Sequence, residues 1–491
     1  MLLSRSRAQL LAGLGLTAVS EGGLAAALIP GRDLKLLVSP PLHLAALALG
    51  VLAIGAGAAA FVRYPTVVPI ALLAAAPFRI SVSIGAQKAY LLLPLYVVLA
   101  AAMLALVVRA LRGREAQHLL PPLLALPAAA FVLLAGVSLT WTRDLRQGTI
   151  ELLFFLFPFS ALVIAVVWSP FRPWHPRALA ATLVALAGLF SAVALFQRVT
   201  HGHLLAGDVE RANAYTTYFR VTSLFKDPSI FGRHVVIAIA VLLVAVWLGR
   251  IGFWAGAALI AFLWAGLFFS YSQSSFVALF AVGVAISYLL GGAALRRVLM
   301  VGAAACILAG TAFVAATAVN DSARQATSGR TRLARVTWVV FTNHPLVGVG
   351  IGGQPQASRD EAKTQLSAKR DRSHTTPLTV AAELGLIGLI VYAALLAGTA
   401  RLLFLLTRVN RALGLGAAAV FLALFVHSLF YAGFFEDPIV WGVIALAAWA
   451  LLALPQRSPA RAGPEVVEPP MGDGRPERTP AELQHQAPLA D

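Results

Sequence analysis

The chain has 491 residues, of which 59% are hydrophobic and only 12% are charged. Soluble domains carry about 25% charged residues, so the composition excludes an ordinary soluble enzyme and predicts a protein embedded in a lipid bilayer. A net charge of +17 would suggest nucleic-acid binding in a soluble protein, but here much of it belongs to loops that flank membrane spans. The one cysteine, Cys306, excludes a disulfide framework and a thiolate metal cage.

Fourteen apolar stretches follow one another along the chain, as expected for helices that need about 20 residues each to cross a bilayer. They lie near residues 8–30, 41–62, 65–79, 89–110, 119–140, 149–169, 177–199, 229–249, 252–270, 274–291, 298–318, 377–400, 412–432 and 438–454. The third stretch is short, and thirteen spans result if it is re-entrant. The sequence therefore predicts an all-α polytopic integral membrane protein with about 14 transmembrane helices, in a range of 12–14.

The positions of the arginines orient these spans. If the N-terminus is cytoplasmic, every inner loop contains arginine, as the positive-inside rule requires. The first span lacks a convincing small-residue cleavage site, which favours a retained helix over a removed signal peptide. Residues 200–228 then lie outside, and so do residues 319–376, a large extracytoplasmic loop between helices 11 and 12. Residues 456–491 have too few apolar groups for a core, which predicts a disordered cytoplasmic tail.

The outer loop 319–376 is strongly basic, with nine Arg or Lys against four Asp or Glu. This charge suggests an anionic ligand, although long loops also translocate regardless of charge. Residues 328–341 are compatible with a short amphipathic helix on the membrane face. A turn follows at Pro345, and the alternating glycines in 348–352 would let the backbone approach a bulky ligand closely.

His374 comes just before Pro377, which suits the first turn of the next span and places the histidine at the outer membrane surface. Because imidazole titrates near neutral pH, His374 is the leading candidate for a general base, and an interfacial polar residue is the alternative. A turn or cap role is favoured for His344. Glu383 lies about 13 Å deeper by the helical rise, so a structural hydrogen bond or ion pair is expected there.

The outer loop 200–228 places Arg220 among aromatic residues, shortly before Asp227-Pro228 begins the next helix. This composition suits sugar or phosphate contacts at a membrane interface. An aromatic belt with a snorkelling arginine is the alternative interpretation.

Metal binding has little support in this loop. His201 and His203 have an i, i+2 spacing that would suit a metal only on a strand. Asp208 and Glu210 resemble the Asp-x-Asp pair of metal-dependent glycosyltransferases, but one acidic pair in a flexible loop is weak support for a cation. We therefore predict no metal.

Several of these segments occur in an order typical of one family. Arg330, residues 343–350, His374 and residues 382–389 follow the pattern of an Arg-x-x-x-x-Trp-like helix, a His-Pro-hydrophobic-x-Gly-hydrophobic-Gly turn, a His, and a Glu-x-Gly-hydrophobic-hydrophobic-Gly helix. Residues 220–228 look like an Arg-x-(Ser/Thr)-Gly-x-Phe-x-(Asn/Asp)-Pro-Asn segment. Together these motifs resemble the O-antigen ligase and polymerase family over roughly residues 215–450.

The resemblance implies a GT-C-type glycosyltransferase of the bacterial cytoplasmic (inner) membrane, with its active site facing the extracytoplasmic side. Such an enzyme transfers a glycan from a polyprenyl (undecaprenyl) diphosphate carrier to a lipid or glycan acceptor, without metal or cofactor and without nucleic acid as a partner. His374 would accept the proton of the acceptor hydroxyl, with inversion at the anomeric carbon. Arg220 and Arg330 are the leading diphosphate-binding residues, and Arg332 and Arg372 are the alternates.

Two features depart from the family pattern. Residues 270–275 read Ser-Tyr-Ser-Gln-Ser-Ser where the family commonly has Ser-Arg-(Gly/Ser), so Arg324, Arg332 or Arg335 would have to supply the missing charge. The predicted spans also outnumber those of most ligases. The extra ones are expected in the N-terminal region 1–199, ahead of a ligase-like catalytic region at 200–455.

Other functions remain open at this point. A polymerase of the same family differs from a ligase only in its acceptor. A lipid-linked glycan or small-solute transporter also carries intramembrane Glu, His and Arg, and a degenerate family member could act as a scaffold. Transporters commonly show internal repeats and broken helices at mid-membrane, whereas the informative residues here gather at one outer surface.

Overall fold

The computed structural model describes residues 1–28, 41–84, 87–113, 119–202, 209, 213, 218–319, 330–362 and 373–454. All of them belong to one unit, Met1–Pro455. The predicted cytoplasmic tail, residues 456–491, lies outside the described residues.

Helices account for most of the described chain. In the first half they are α1 Arg7–Leu28, α2 Pro41–Arg63, α3 Val68–Ala75, α4 Leu93–Leu111, α5 Pro122–Ser138, α6 Leu145–Glu151, α7 Phe157–Val167 and α8 His175–Thr200. In the second half they are α9 Pro228–Trp247, α10 Phe253–Phe268, α11 Gln273–Leu290, α12 Ala293–Val319, α13 Arg330–Asn343, α14 Gln354–Ala362, α15 Thr376–Val409, α16 Arg411–Ser428 and α17 Pro438–Ala453. A 3₁₀ turn, Pro65–Val67, precedes α3, and a π-helical turn, Leu152–Leu156, joins α6 to α7.

Each of the fourteen predicted apolar stretches contains a helix, and ten helices in the described part of the chain are long and apolar enough to cross a membrane. Four shorter apolar helices make up the remainder: Pro65–Ala75, Pro122–Ser138, Phe253–Phe268 and Pro438–Ala453. At about 1.5 Å per residue, such helices fall short of the hydrocarbon thickness of about 30 Å. The protein is therefore a helical multi-pass membrane protein, and its described residues contain ten candidate crossings, so the predicted count of about 14 is not confirmed.

A short antiparallel β-hairpin follows α3, where the sequence analysis expected only a connection between helices. Strand β1, Ile80–Ile84, pairs with β2, Gln87–Leu91, so that Ile80 lies opposite Leu91. The alternation of β-branched and serine residues in Ile80–Ile84 has the period of two that a strand requires. The described chain is therefore helical, as predicted, with this one short hairpin in addition.

Backbone and side-chain contacts define two ends of the helix bundle. At one end, the Val221 N–H donates to the Phe269 carbonyl over 3.1 Å, and the Thr375 hydroxyl donates to the Leu429 carbonyl over 3.2 Å. We call this the site end. At the other end, the His175 ring contacts the Thr66 carbonyl at 2.7 Å. Connections predicted to share a side of the membrane therefore contact each other.

Capping residues explain where the helices around the site end begin. Asp227 and Asp437 each accept a hydrogen bond from the backbone two residues ahead, and a proline follows each of them. Ser272 caps α11 in the same way through the Ser275 N–H. An Asp or Ser cap satisfies a free N–H of the first turn, and proline tolerates that position because it has none to satisfy.

Helix α15 is broken at Gly385, whose backbone has φ 66° and ψ −163°. Residues 345–350 fill the break with hydrogen bonds on both sides of it. Val349 and Gly350 donate to the carbonyls of Ala382 and Glu383, while Leu386 and Ile387 donate to those of Pro345 and Leu346. Broken backbone inside a membrane protein must find such internal partners, because lipid offers none.

Candidate active site

His374 lies at the site end, immediately before α15, and is half-buried. The neighbouring Ser373 hydroxyl accepts a hydrogen bond from the Thr375 N–H at 3.2 Å. On the other side of the histidine, the ring of Tyr431 lies 6.1 Å from the imidazole centroid. His374 is therefore held between the start of α15 and the segment 429–437 that leads into α17.

A chain of contacts links His374 to the turn between α10 and α11. The ring of Tyr431 lies 5.5 Å from that of His427, and the His427 Nε2 is 3.1 Å from the Ser274 hydroxyl. His427 and Ser274 are both buried. From the sequence, His427 was a residue that could link two helices, and its contact with Ser274 links α16 to α11.

Arg220 lies against the same turn. Its Nε donates to the Ser270 carbonyl at 3.3 Å, and its backbone exchanges two hydrogen bonds with the Asn213 side chain. The ring of Tyr218, two residues earlier, lies 4.7 Å from that of Tyr271. A guanidinium group thus lies at the turn 270–275, which has no arginine of its own.

Buried charges surround Tyr431, and the sequence analysis did not single out this cluster. Arg233 pairs with Asp437 at 2.8 Å, and both side chains are buried. Burial raises the pKa of the Tyr431 phenol, and hydrogen bonding to Asp227 raises it further, while Arg233 and Arg79 act in the opposite direction. Tyr431 therefore stays protonated at physiological pH. The repeated Asp-Pro pairs at 227–228 and 437–438 are the sequence signal that could have identified the two carboxylates.

Gln354 is fully buried and contacts the segment that carries His374. No role was predicted for it from the sequence. Its amide donates to the hydroxyls of Thr337 at 3.0 Å and Ser358 at 2.7 Å, while its side-chain oxygen accepts from the Ser373 N–H at 3.2 Å. Its backbone N–H lies 3.4 Å from the Glu383 carboxylate. One fully buried side chain thus connects α13, α14 and the residue before His374. A lone glutamine after Gly353 offers no motif from which this role could be read.

One stretch of the chain, from α10 into α15, matches a known protein family. Residues 256–393 match the family model described as O-antigen ligase. The chain contains an O-antigen ligase domain. No curated protein matches the chain.

The ligase domain extends from α10 into α15 and includes Ser274, Gln354 and His374. It begins after Arg220 and ends before Tyr431. Arg220 and Tyr431 therefore come from connecting segments outside the matched region, before α9 and before α17. The domain supports a ligase or polymerase role in surface polysaccharide synthesis and indicates a glycosyltransferase-like membrane enzyme.

The proposed diphosphate-binding arginines differ in what the structure shows of them. Arg220 contacts the α10–α11 turn, and Arg332 is exposed on α13, as is Arg335. Arg330 begins α13, but its side chain is not among those described. Arg372 and Arg324 lie outside the described residues.

The glycines of the ligase domain's turn approach protein backbone, where the sequence analysis expected them to approach a ligand. A Cβ on Gly348 would lie 2.3 Å from the Glu383 carbonyl carbon, and one on Gly350 would lie 2.3 Å from the Thr142 Cα. Both glycines have positive φ, which L side chains rarely adopt. They therefore pack the turn into the break of α15 and against the residues before α6.

The other predicted polar residues have structural partners. The His344 Nε2 lies 2.8 Å from the Glu361 carboxylate on α14, and Glu383 accepts from the Gln354 backbone, as its predicted structural role requires. His201 ends helix α8 and does not lie on a strand, so it lacks the setting that the metal hypothesis needed. The described residues contain no group of three or more His, Cys, Asp or Glu that could hold a metal. His203, Asp208 and Glu210 lie outside the described residues.

Proposed function

We propose that the chain transfers a glycan from a polyprenyl diphosphate carrier, such as undecaprenyl diphosphate, to an acceptor hydroxyl at the outer face of a bacterial inner membrane. The observation that carries the proposal is that the ligase domain brings His374 to the bundle end where Arg220 also lies. Cationic groups at the same end as an imidazole suit the departure of an anionic diphosphate.

In the proposed reaction, the imidazole of His374 takes the proton of the acceptor hydroxyl as its oxygen attacks the anomeric carbon. The bond from that carbon to the carrier oxygen breaks, and the polyprenyl diphosphate leaves with the electron pair. Attack opposite the leaving group inverts the configuration at that carbon.

Guanidinium groups replace a metal in this proposal. Arginine stays charged when partly buried and can donate two parallel hydrogen bonds to phosphate, which stabilises the charge that develops on the leaving group. Arg220 is the described candidate, with Arg330, Arg332 and Arg372 as further ones. Transfer should then proceed in the presence of a chelator.

The break in α15 would by itself suit a transporter, since discontinuous helices form many transport sites. Here, however, the backbone of residues 345–350 fills the break, and no substrate is needed to satisfy the opened hydrogen bonds. This packing favours the enzyme over the transporter.

The proposed function is tested with the purified chain in proteoliposomes and a synthetic undecaprenyl diphosphate-linked oligosaccharide. We expect His374→Ala to lower turnover by about 10²–10⁴-fold, the usual contribution of a general base. His201→Ala is the matched control, because His201 lies at the same bundle end but contacts Arg198 and Phe219 and not the site. Normal turnover by a correctly folded His374→Ala protein would rule out this base.

The same assay separates a ligase from a polymerase. A polymerase lengthens the carrier-linked glycan when the donor is supplied alone, because a second donor molecule serves as the acceptor. A ligase releases the carrier only when a different acceptor, such as lipid A-core, is added.

A further inference from the structure

A large apolar cavity lies among α3, α7, α8, α9, α16 and α17. Its volume is about 990 Å³, and its lining extends from Arg177 and Arg250 to Pro438, the first residue of α17. This volume is at the upper end of the range of about 300–1,000 Å³ for small-ligand pockets. Walls of leucine, valine, alanine and proline favour acyl chains over water.

Two arginines line this cavity where it reaches the end of the bundle. Arg177 lies in the first turn of α8, and Arg250 follows the last turn of α9. Both side chains are exposed, so their guanidinium groups are accessible at the membrane surface. The cavity thus combines apolar walls with a cationic rim, which is the charge pattern complementary to an anionic lipid.

We propose that this cavity binds one anionic glycerophospholipid, with its acyl chains between α8, α9, α16 and α17 and its phosphate against Arg177 and Arg250. This inference goes beyond the proposed glycan transfer and does not depend on it. The lipid would brace helices that also carry residues of the site end. Those residues are the Asp227 cap of α9, the His427 of α16 and the Asp437 cap of α17.

Two glycines that line the cavity can be replaced by larger residues to fill part of it. Gly416 on α16 and Gly442 on α17 both line it, and a Cβ built on either meets nothing within 4 Å. Each position therefore has open space for a Cβ, and we expect a leucine there to extend into the cavity that the glycine lines. Because glycine is a poor helix former, these substitutions are also compatible with the helices that carry them.

The test is native mass spectrometry of the purified full chain after incubation with equal amounts of phosphatidylglycerol and phosphatidylcholine. We expect the wild-type protein to retain one phosphatidylglycerol in preference to phosphatidylcholine. The double variant Arg177→Ala/Arg250→Ala should lose about tenfold or more of that retention, as expected when charge-assisted hydrogen bonds are removed. Gly416→Leu/Gly442→Leu should reduce retention of both lipids.

Arg401→Ala/Arg408→Ala is the matched control, since both arginines lie on α15 and neither lines the cavity. Phosphatidylglycerol should raise the melting temperature of the wild type and of this control, but not that of the two test variants. Unchanged retention in Arg177→Ala/Arg250→Ala would overturn the phosphate site. If Gly416→Leu/Gly442→Leu leaves phospholipid retention unchanged and weakens saturation by the carrier-linked donor, the cavity holds the isoprenoid tail instead, and the proposal is wrong.

Discussion

At the scale of single residues, His374 depends on neighbours that hold it in place. Gln354 bonds to Ser373 directly before the histidine, and Thr375 directly after it bonds to the Leu429 carbonyl. Catalytic geometry tolerates little displacement, so a base on a loosely held loop would lose much of its effect. We therefore regard Gln354 as a positioning residue for His374.

Replacing Gln354 with leucine should leave the Ser373 N–H without its acceptor and remove the hydrogen bonds that the amide donates to Thr337 and Ser358. A buried polar group that loses its partner costs about 1–3 kcal/mol, so the 373–375 segment should shift or loosen. We expect kcat to fall about tenfold or more with little change in the KM for donor, because the arginines that bind diphosphate are untouched. Steady-state kinetics at several pH values would measure this.

Gln356→Leu is the control for that substitution, since Gln356 lies on the same helix and bonds to Asp360 at the exposed surface. If Gln354→Leu raised the donor KM and left kcat unchanged, Gln354 would belong to donor binding and the positioning role would be wrong.

Only some of the residues at the site end could be predicted from the sequence. His374 and Arg220 could be named because each lies in a short polar segment of an outer loop, shortly before a predicted span. Gln354 and Tyr431 could not, because their importance comes from contacts with segments far away in the chain. For the same reason, the glycine turn was expected to approach a ligand, whereas it approaches protein backbone. The sequence indicates a close approach of the backbone but does not identify the group that it approaches.

At the scale of secondary structure elements, the main feature is the interlocking of α15 with the turn at 345–350. Apolar composition predicted a continuous helix there, because an isolated glycine in a helical pattern is usually tolerated. The break at Gly385 arises from tertiary hydrogen bonds to the turn, which the local pattern does not contain. The β-hairpin at 80–91 was missed because a pair of five-residue strands is short beside the helical stretches on either side.

Gly385→Ala should destabilise the protein strongly. A Cβ there would lie 2.2 Å from the Leu346 carbonyl oxygen, and φ is +66°. Backbone overlap and positive φ together should cost at least about 2–4 kcal/mol. The melting temperature in detergent, followed by tryptophan fluorescence, should fall by several degrees.

Gly283→Ala in α11 is the matched control, because a Cβ there meets nothing within 4 Å. It should leave the melting temperature unchanged or raise it slightly, since alanine favours a helix more than glycine does. Equal stability of the Gly385→Ala and wild-type proteins would show that the break in α15 is not required.

At the scale of the whole molecule, loops far apart in sequence meet at one end of the bundle. This pairing agrees with the arginine distribution, which predicts that the site end faces away from the cytoplasm. Hydrophobicity was sufficient to predict the helices and their order. It was not sufficient to predict the number of crossings, because four apolar helices are too short to decide by length.

Sidedness is tested with cysteines introduced into a Cys306→Ala background and labelled in intact cells with a membrane-impermeant maleimide. Thr342→Cys, on the exposed face of α13, should react from outside. Arg408→Cys, near the end of α15, should react only after the membrane is permeabilised. The reverse pattern would place His374 in the cytosol and contradict the proposed orientation.

The central claim is that arginines at the site end hold a diphosphate lipid beside His374. It is tested most directly by the structure of the wild-type chain in a lipid nanodisc with undecaprenyl diphosphate bound. The account predicts phosphate oxygens about 2.7–3.2 Å from the Arg220 guanidinium, in the space next to His374. A diphosphate bound at the Arg177 and Arg250 end, or at the site end but away from both Arg220 and His374, would contradict it.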